Sequence, residues 1–116
     1  MSIRRLHGGP RMSQAVVCNG MVFLAGQVAE DTSQDVGGQT RQVLAAIDRL
    51  LAEAGSDKAR LLAAQIFLAD MADFAAMNAI WEAWVVPGQT PARATVQAAM
   101  ARPDYRVEIL VTAAAG

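Results

Sequence analysis

Apolar and polar residues change their rhythm along this chain, and each change marks an element. Ala15-Val16-Val17-Cys18 and Met21-Val22-Phe23-Leu24-Ala25 are short apolar runs flanking Asn19-Gly20. That dipeptide accepts positive φ at both central turn positions, so the spacing predicts a β-hairpin. A short strand and a Gly8-Gly9-Pro10 loop precede it within residues 2–14, and Gly26-Gln27 closes its second strand. Between 36 and 54 the period becomes helical. Val43, Leu44, Ile47, Leu50, Leu51 and Ala54 share one face, with Arg41, Gln42, Asp48, Arg49 and Glu53 opposite. Asp35 is placed to cap this helix and Gly55 to end it. Gly37-Gly38 is not followed by Gly-Lys-Ser/Thr, so it is no phosphate loop.

Leu61 to Leu68, apolar except at Gln65, reads as a central strand. Asp70 as N-cap and Asp73 in the first turn predict a second helix with Phe74, Met77, Ile80, Trp81 and Trp84 as its apolar stripe, stopped by Pro87-Gly88. Two further strands follow. In the first, Arg93, Thr95 and Gln97 alternate with Ala94, Val96 and Ala98. In the second, Arg106, Glu108, Leu110 and Thr112 alternate with Val107, Ile109 and Val111. The order is strand, hairpin, helix, strand, helix, strand, strand. It predicts an α+β fold, with a mixed sheet, antiparallel pairs at both ends and both helices on one face.

Those last two strands also carry the candidate chemistry. An arginine and a carboxylate rising from the polar faces of neighbouring strands could grip a substrate carboxylate and orient or deprotonate a water. The plainer alternative stays open: both polar sets face solvent, or Arg93 and Glu108 pair with each other.

With 116 residues the chain is expected to form a single domain, residues 1–116. A net charge of −1 with 18% charged residues gives no basic stripe, so no nucleic-acid partner is expected. The hydrophobic share of 53% is rich for a small domain, which has little interior to hide it, and points to a homo-oligomer. Cys18 is the single cysteine and His7 the single histidine, so neither an intrachain disulfide nor a cysteine or histidine metal cluster is expected. Cys18 reads as a small buried thiol and His7 as a surface or interface residue. No signal peptide and no membrane-spanning run is evident, and a cytoplasmic location is expected.

Several short motifs, in order, resemble the Rid (YjgF-like) family, whose best-known branch is the RidA reactive-intermediate deaminases. They are Gly9-Pro10 with Ser13-Gln14-Ala15, Val22-Phe23-Leu24-Ala25-Gly26-Gln27, and Gln39-Thr40-Arg41-Gln42-Val43-Leu44. Further on come Phe67-Leu68-Ala69-Asp70-Met71, Asp73-Phe74, Asn78, Pro91-Ala92-Arg93-Ala94-Thr95-Val96 and Val107-Glu108-Ile109. The resemblance implies a chorismate-mutase-like subunit in a homotrimer with a barrel-like core and clefts between subunits. It implies hydrolysis of enamines and imines, such as 2-aminoacrylate and its imine tautomer, to a 2-keto acid and ammonia, with no metal or organic cofactor. It gives Arg93 the substrate carboxylate and Glu108 the attacking water, and Thr95 is a candidate hydroxyl in the pocket wall.

The sequence departs from that family pattern at two places. Arg11-Met12 stands where a tyrosine commonly precedes Ser-Gln-Ala, and Ala25 replaces a hydroxyl residue before Gly-Gln. Met12 and Ala25 thus become candidate pocket residues of a roomier, more apolar cleft. Two other functions compete with deamination of small 2-imino acids. One is hydrolysis of a larger unstable carbonyl-derived metabolite; the other is non-catalytic binding of a small metabolite such as a 2-keto acid by a trimer. Nuclease activity, attributed to some relatives, is disfavoured by the charge.

Overall fold

Asn19 and Gly20 take φ of 52° and 71°, as a tight hairpin turn demands, and join strands β2 (Ala15–Cys18) and β3 (Met21–Leu24). The computed structural model describes residues 2–116. Around the hairpin lie β1 (Ile3–Leu6), helix α1 (Val36–Glu53), β4 (Leu61–Leu68), helix α2 (Phe74–Trp84), β5 (Ala92–Gln97) and β6 (Val107–Ala114). The six strands form one mixed sheet in the order β1-β2-β3-β6-β4-β5. The element order and the mixed sheet agree with the sequence reading.

The pairing at the C-terminal end differs from the expectation. β5 and β6 are not a hairpin: β6 inserts between β3 and β4, antiparallel to both, and β5 lies parallel to β4 at the sheet edge. The α2 crossover accounts for this, since a strand–helix–strand connection returns the chain parallel to the strand it left. β6 then runs back through the centre of the sheet, where its alternating Val107, Ile109, Val111 and Ala113 are buried.

Asp35 Oδ1 accepts from the Gly38 backbone N–H at 2.9 Å and caps α1, while Gly55 takes φ 82° just beyond its end. The apolar face foreseen for α1 is buried throughout: Val43, Leu44, Ile47, Leu50, Leu51 and Ala54. The start of α2 corrects the reading of its caps. Asp70 caps a single 3₁₀ turn at Met71–Asp73, by accepting from Ala72 N–H at 2.9 Å, rather than α2 itself. Asp73 occupies the N-cap position of α2 without capping it, because its carboxylate is taken by Arg106 Nη2 at 3.0 Å to both oxygens. A charge-assisted contact to guanidinium outcompetes a neutral backbone donor.

One continuous core joins both helices to one face of the sheet, through Val22, Leu24, Ala64, Ile66, Leu68, Val107, Ile109 and Val111 from the strands and Leu44, Ile47, Leu51, Met77 and Trp81 from the helices. Among the described residues the opposite face carries no helix. Phe23 and Val96 stand on it at 45% and 42% exposure, alongside the alanines of β4 and β5.

Candidate functional site

β5 sets the first half of the site. Arg93 pairs with Ala64, which in turn pairs with Val111, so its side chain lies on the helix-covered face at the sheet edge, beneath α2. Its Nη1 donates to Asn78 Oδ1 at 2.7 Å. The guanidinium carbon sits 5.6 Å from the Trp81 ring centroid and 5.9 Å from that of Phe74. Phe74, Asn78 and Trp81 are spaced to project from one side of α2, and together they shelve and steer the fork. Among the described residues no carboxylate comes within ion-pair distance of Arg93, so its charge meets only neutral groups. Thr95, two residues on and facing the same way, holds a buried Oγ1 without a hydrogen-bond partner among the described residues. A guanidinium with unused donors beside an unpaired hydroxyl suits a small anion.

β6 sets the second half, and on the other face. Glu108 pairs with Phe67 in the open-face row, opposite to the row of Val107 and Ile109 that enters the core. The two strands are therefore neither neighbours nor aligned in facing: β4 separates them, and Arg93 and Glu108 of one chain point away from each other through the sheet. This corrects the expectation that both rise from one polar surface, and it excludes their pairing within a chain.

The Glu108 carboxylate lies against the Gly26 backbone. A Cβ there would collide with Oε2 and reach 2.9 Å from Cδ, so glycine is what admits the carboxylate. A two-way bridge fixes this juncture, with Gln27 N–H donating to Ile109 O at 2.8 Å and Ile109 N–H to Gln27 O at 3.1 Å. Ala25 sits on the same segment, its N–H donating to Gln14 O at 2.9 Å. Gln27 Nε2 donates to Gln14 Oε1 and to Ala25 O, tying in the loop that carries Met12. Met12 itself is 55% exposed. Beside Glu108 opens a recess of about 230 Å³, lined by Phe67, Ala98, Ala99, Met100 and Ala101.

The loop between β5 and β6 is held by a residue that was seen in the sequence only as part of a motif. Gln39 is fully buried; its Nε2 donates to the carbonyls of Thr32, Gln34 and Asp104, and its Oε1 accepts from Arg106 N–H at 2.9 Å. Thr32 Oγ1 donates to Asp104 Oδ2 at 2.6 Å, and this bond, helped by Arg102, holds the Asp104 carboxyl below its ordinary range. Asn78 and Gly26 likewise stand in the sequence as motif residues with no role of their own. The helical spacing of Phe74, Asn78 and Trp81 was a usable signal for the first; nothing local signals the second, because its partner is distant in sequence. His7 stays at the surface, with Nε2 2.6 Å from Glu53 Oε2. Cys18 is half-buried in β2 rather than fully enclosed.

Comparison with known proteins gives the family. The profile of the family described as Endoribonuclease L-PSP matches residues 3–115. A crystal structure of NMB1025 from Neisseria meningitidis, a member of the YjgF protein family, superposes with a TM-score of 0.98 at 53% identity, covering 100% of this chain and 97% of that one. The chain belongs to the Rid/YjgF family. Among Rid/YjgF relatives, the RutC family protein YoaB of Escherichia coli is 46% identical over 114 residues, 98% of this chain and 99% of its own length. A chloroplastic protein of Arabidopsis thaliana named Reactive Intermediate Deaminase A is 35% identical over 103 residues, 84% of this chain and 54% of its own length. No helix of the described residues is long and apolar enough to cross a membrane.

Proposed function

We propose that this Rid/YjgF protein hydrolyses 2-imino acids and their enamine tautomers to 2-keto acids and ammonia, in clefts between the subunits of a homotrimer. The observation that carries the reading is Arg93: a guanidinium aimed by Asn78, shelved on Trp81 and Phe74, and left with no carboxylate partner among the described residues. Such a group is prepared for the carboxylate of a substrate. Because Arg93 and Glu108 lie on opposite faces of the sheet, one cleft takes Arg93 and Thr95 from one copy and Glu108, Ala25 and Met12 from its neighbour. The uncovered face with Phe23 and Val96 gives that neighbour a surface to pack on.

In the reaction the Arg93 fork binds the carboxylate, and Thr95 Oγ1 offers a further hydrogen bond. Glu108 accepts a proton from water as the oxygen attacks the imine carbon. The proton passes to nitrogen, the tetrahedral carbinolamine collapses with loss of ammonia, and a carbonyl remains. Placement does most of the work, since these imines already hydrolyse unaided.

The test couples the protein to a dehydratase that releases 2-aminoacrylate, and follows keto acid formation against semicarbazide trapping of free imine. Wild-type protein is expected to speed keto acid release and Arg93→Ala to lose that effect. An unchanged rate with both proteins would sink the reading and leave metabolite binding without turnover.

A further inference from the structure

We infer that the recess beside Glu108 is the subsite for the side chain of the substrate, and that it selects 2-imino acids with an aliphatic chain of several carbons over the alanine-derived imine. The inference rests on the deaminase reading and extends it to substrate choice. In a 2-imino acid the attacked carbon bears both the carboxylate and the side chain. With the carboxylate drawn to Arg93 and the water held at Glu108, the side chain is confined to the neighbourhood of Glu108. The recess there, about 230 Å³, is otherwise lined by Phe67, Ala98, Ala99, Met100 and Ala101, none of which brings a charged or hydrogen-bonding side chain.

The shape of the recess follows from the loop. Three alanines leave volume that any longer side chain would fill, and Met100 is unbranched enough to adapt to what enters. The loop is pinned where it leaves β5 by Ala98 N–H donating to Leu68 O at 3.0 Å, and near β6 by the Thr32–Asp104 contact. An apolar chain gains by leaving water in such a recess. An acidic one would be desolvated next to the Glu108 carboxylate and is rejected.

The experiment generates imines in place with an amino-acid oxidase acting on alanine, 2-aminobutyrate, norvaline and norleucine, and scores keto acid release against semicarbazide trapping. Wild-type acceleration is expected to rise with chain length. Ala99→Leu fills the recess and should cut the norleucine-derived rate by roughly tenfold or more relative to the alanine-derived one. Met100→Ala enlarges the recess and should keep or widen the wild-type preference for long chains. A chain-length profile in Ala99→Leu parallel to wild type overturns the subsite while sparing the deaminase reading. If no protein hydrolyses any imine, the deaminase reading fails, and calorimetry with the matching 2-keto acids decides the subsite alone. Binding that tightens with chain length in wild type but not in Ala99→Leu supports it, and length-independent or absent binding overturns it.

Discussion

β5 and β6 have the same alternating pattern but opposite senses. In β6 the apolar set, Val107, Ile109, Val111 and Ala113, enters the core and the mixed set faces outward. In β5 the polar residues Arg93 and Thr95 are tucked under α2, while Ala92, Ala94 and Val96 face outward. Alternation therefore tells which residues share a face and not which face is covered. An edge strand of this kind turns its apolar row outward and keeps its arginine inward, held by Asn78 beneath α2.

The sharpest way to break that contrast is to mix two inactive variants. If the proposed trimer and its shared clefts are right, Arg93→Ala and Glu108→Gln proteins should each be dead in the coupled assay. Unfolded and refolded together at equal amounts, they should recover activity in about a quarter of their clefts, those in which an intact Arg93 meets an intact Glu108 from the next copy. No recovery, with mixed trimers shown by mass spectrometry, would mean that each cleft draws both residues from one chain.

Gly26→Ala acts on the β6 half alone. The added methyl evicts the Glu108 carboxylate from its seat, and kcat should fall on the order of tenfold to a hundredfold. Binding of a 2-keto acid, assigned to Arg93 in the proposed mechanism, should change little, as should the melting temperature. Equal losses in binding and turnover would argue that the two halves are not separable.

The smallest effect concerns the loop joining the two strands. The Thr32 hydroxyl depresses the Asp104 pKa from its usual 3.8. A depressed carboxyl stabilises the fold above its unfolded pKa, and that contribution is lost as pH falls through the lower folded value. Thr32→Val should therefore flatten the dependence of melting temperature on pH as pH falls below the usual value of 3.8, relative to wild type. A curve of unchanged slope would show that other contacts set this carboxyl.

Much of this architecture could be read locally. Asn19-Gly20, the α1 stripe and the Leu61–Leu68 run each carry a short-range rule, and each element stands where that rule put it. The candidate site was legible as a set of residue types, Arg93, Thr95 and Glu108, but its arrangement in the fold was not. Strand pairing is a long-range choice: whether β6 lies beside β5 or between β3 and β4 depends on how the α2 crossover returns, and no window of adjacent residues encodes that. The same holds for Gly26, which matters only because a carboxylate far along the chain rests on it.

The insertion of β6 between β3 and β4 bears on how the protein is made. Every other described element leaves the ribosome before the strand that joins them. Without it the strands fall into two partial sheets, β1-β2-β3 and β4-β5, with the edges of β3 and β4 unpaired. A chain cut before residue 107 would keep every other strand yet leave both edges bare, open to pairing with other chains.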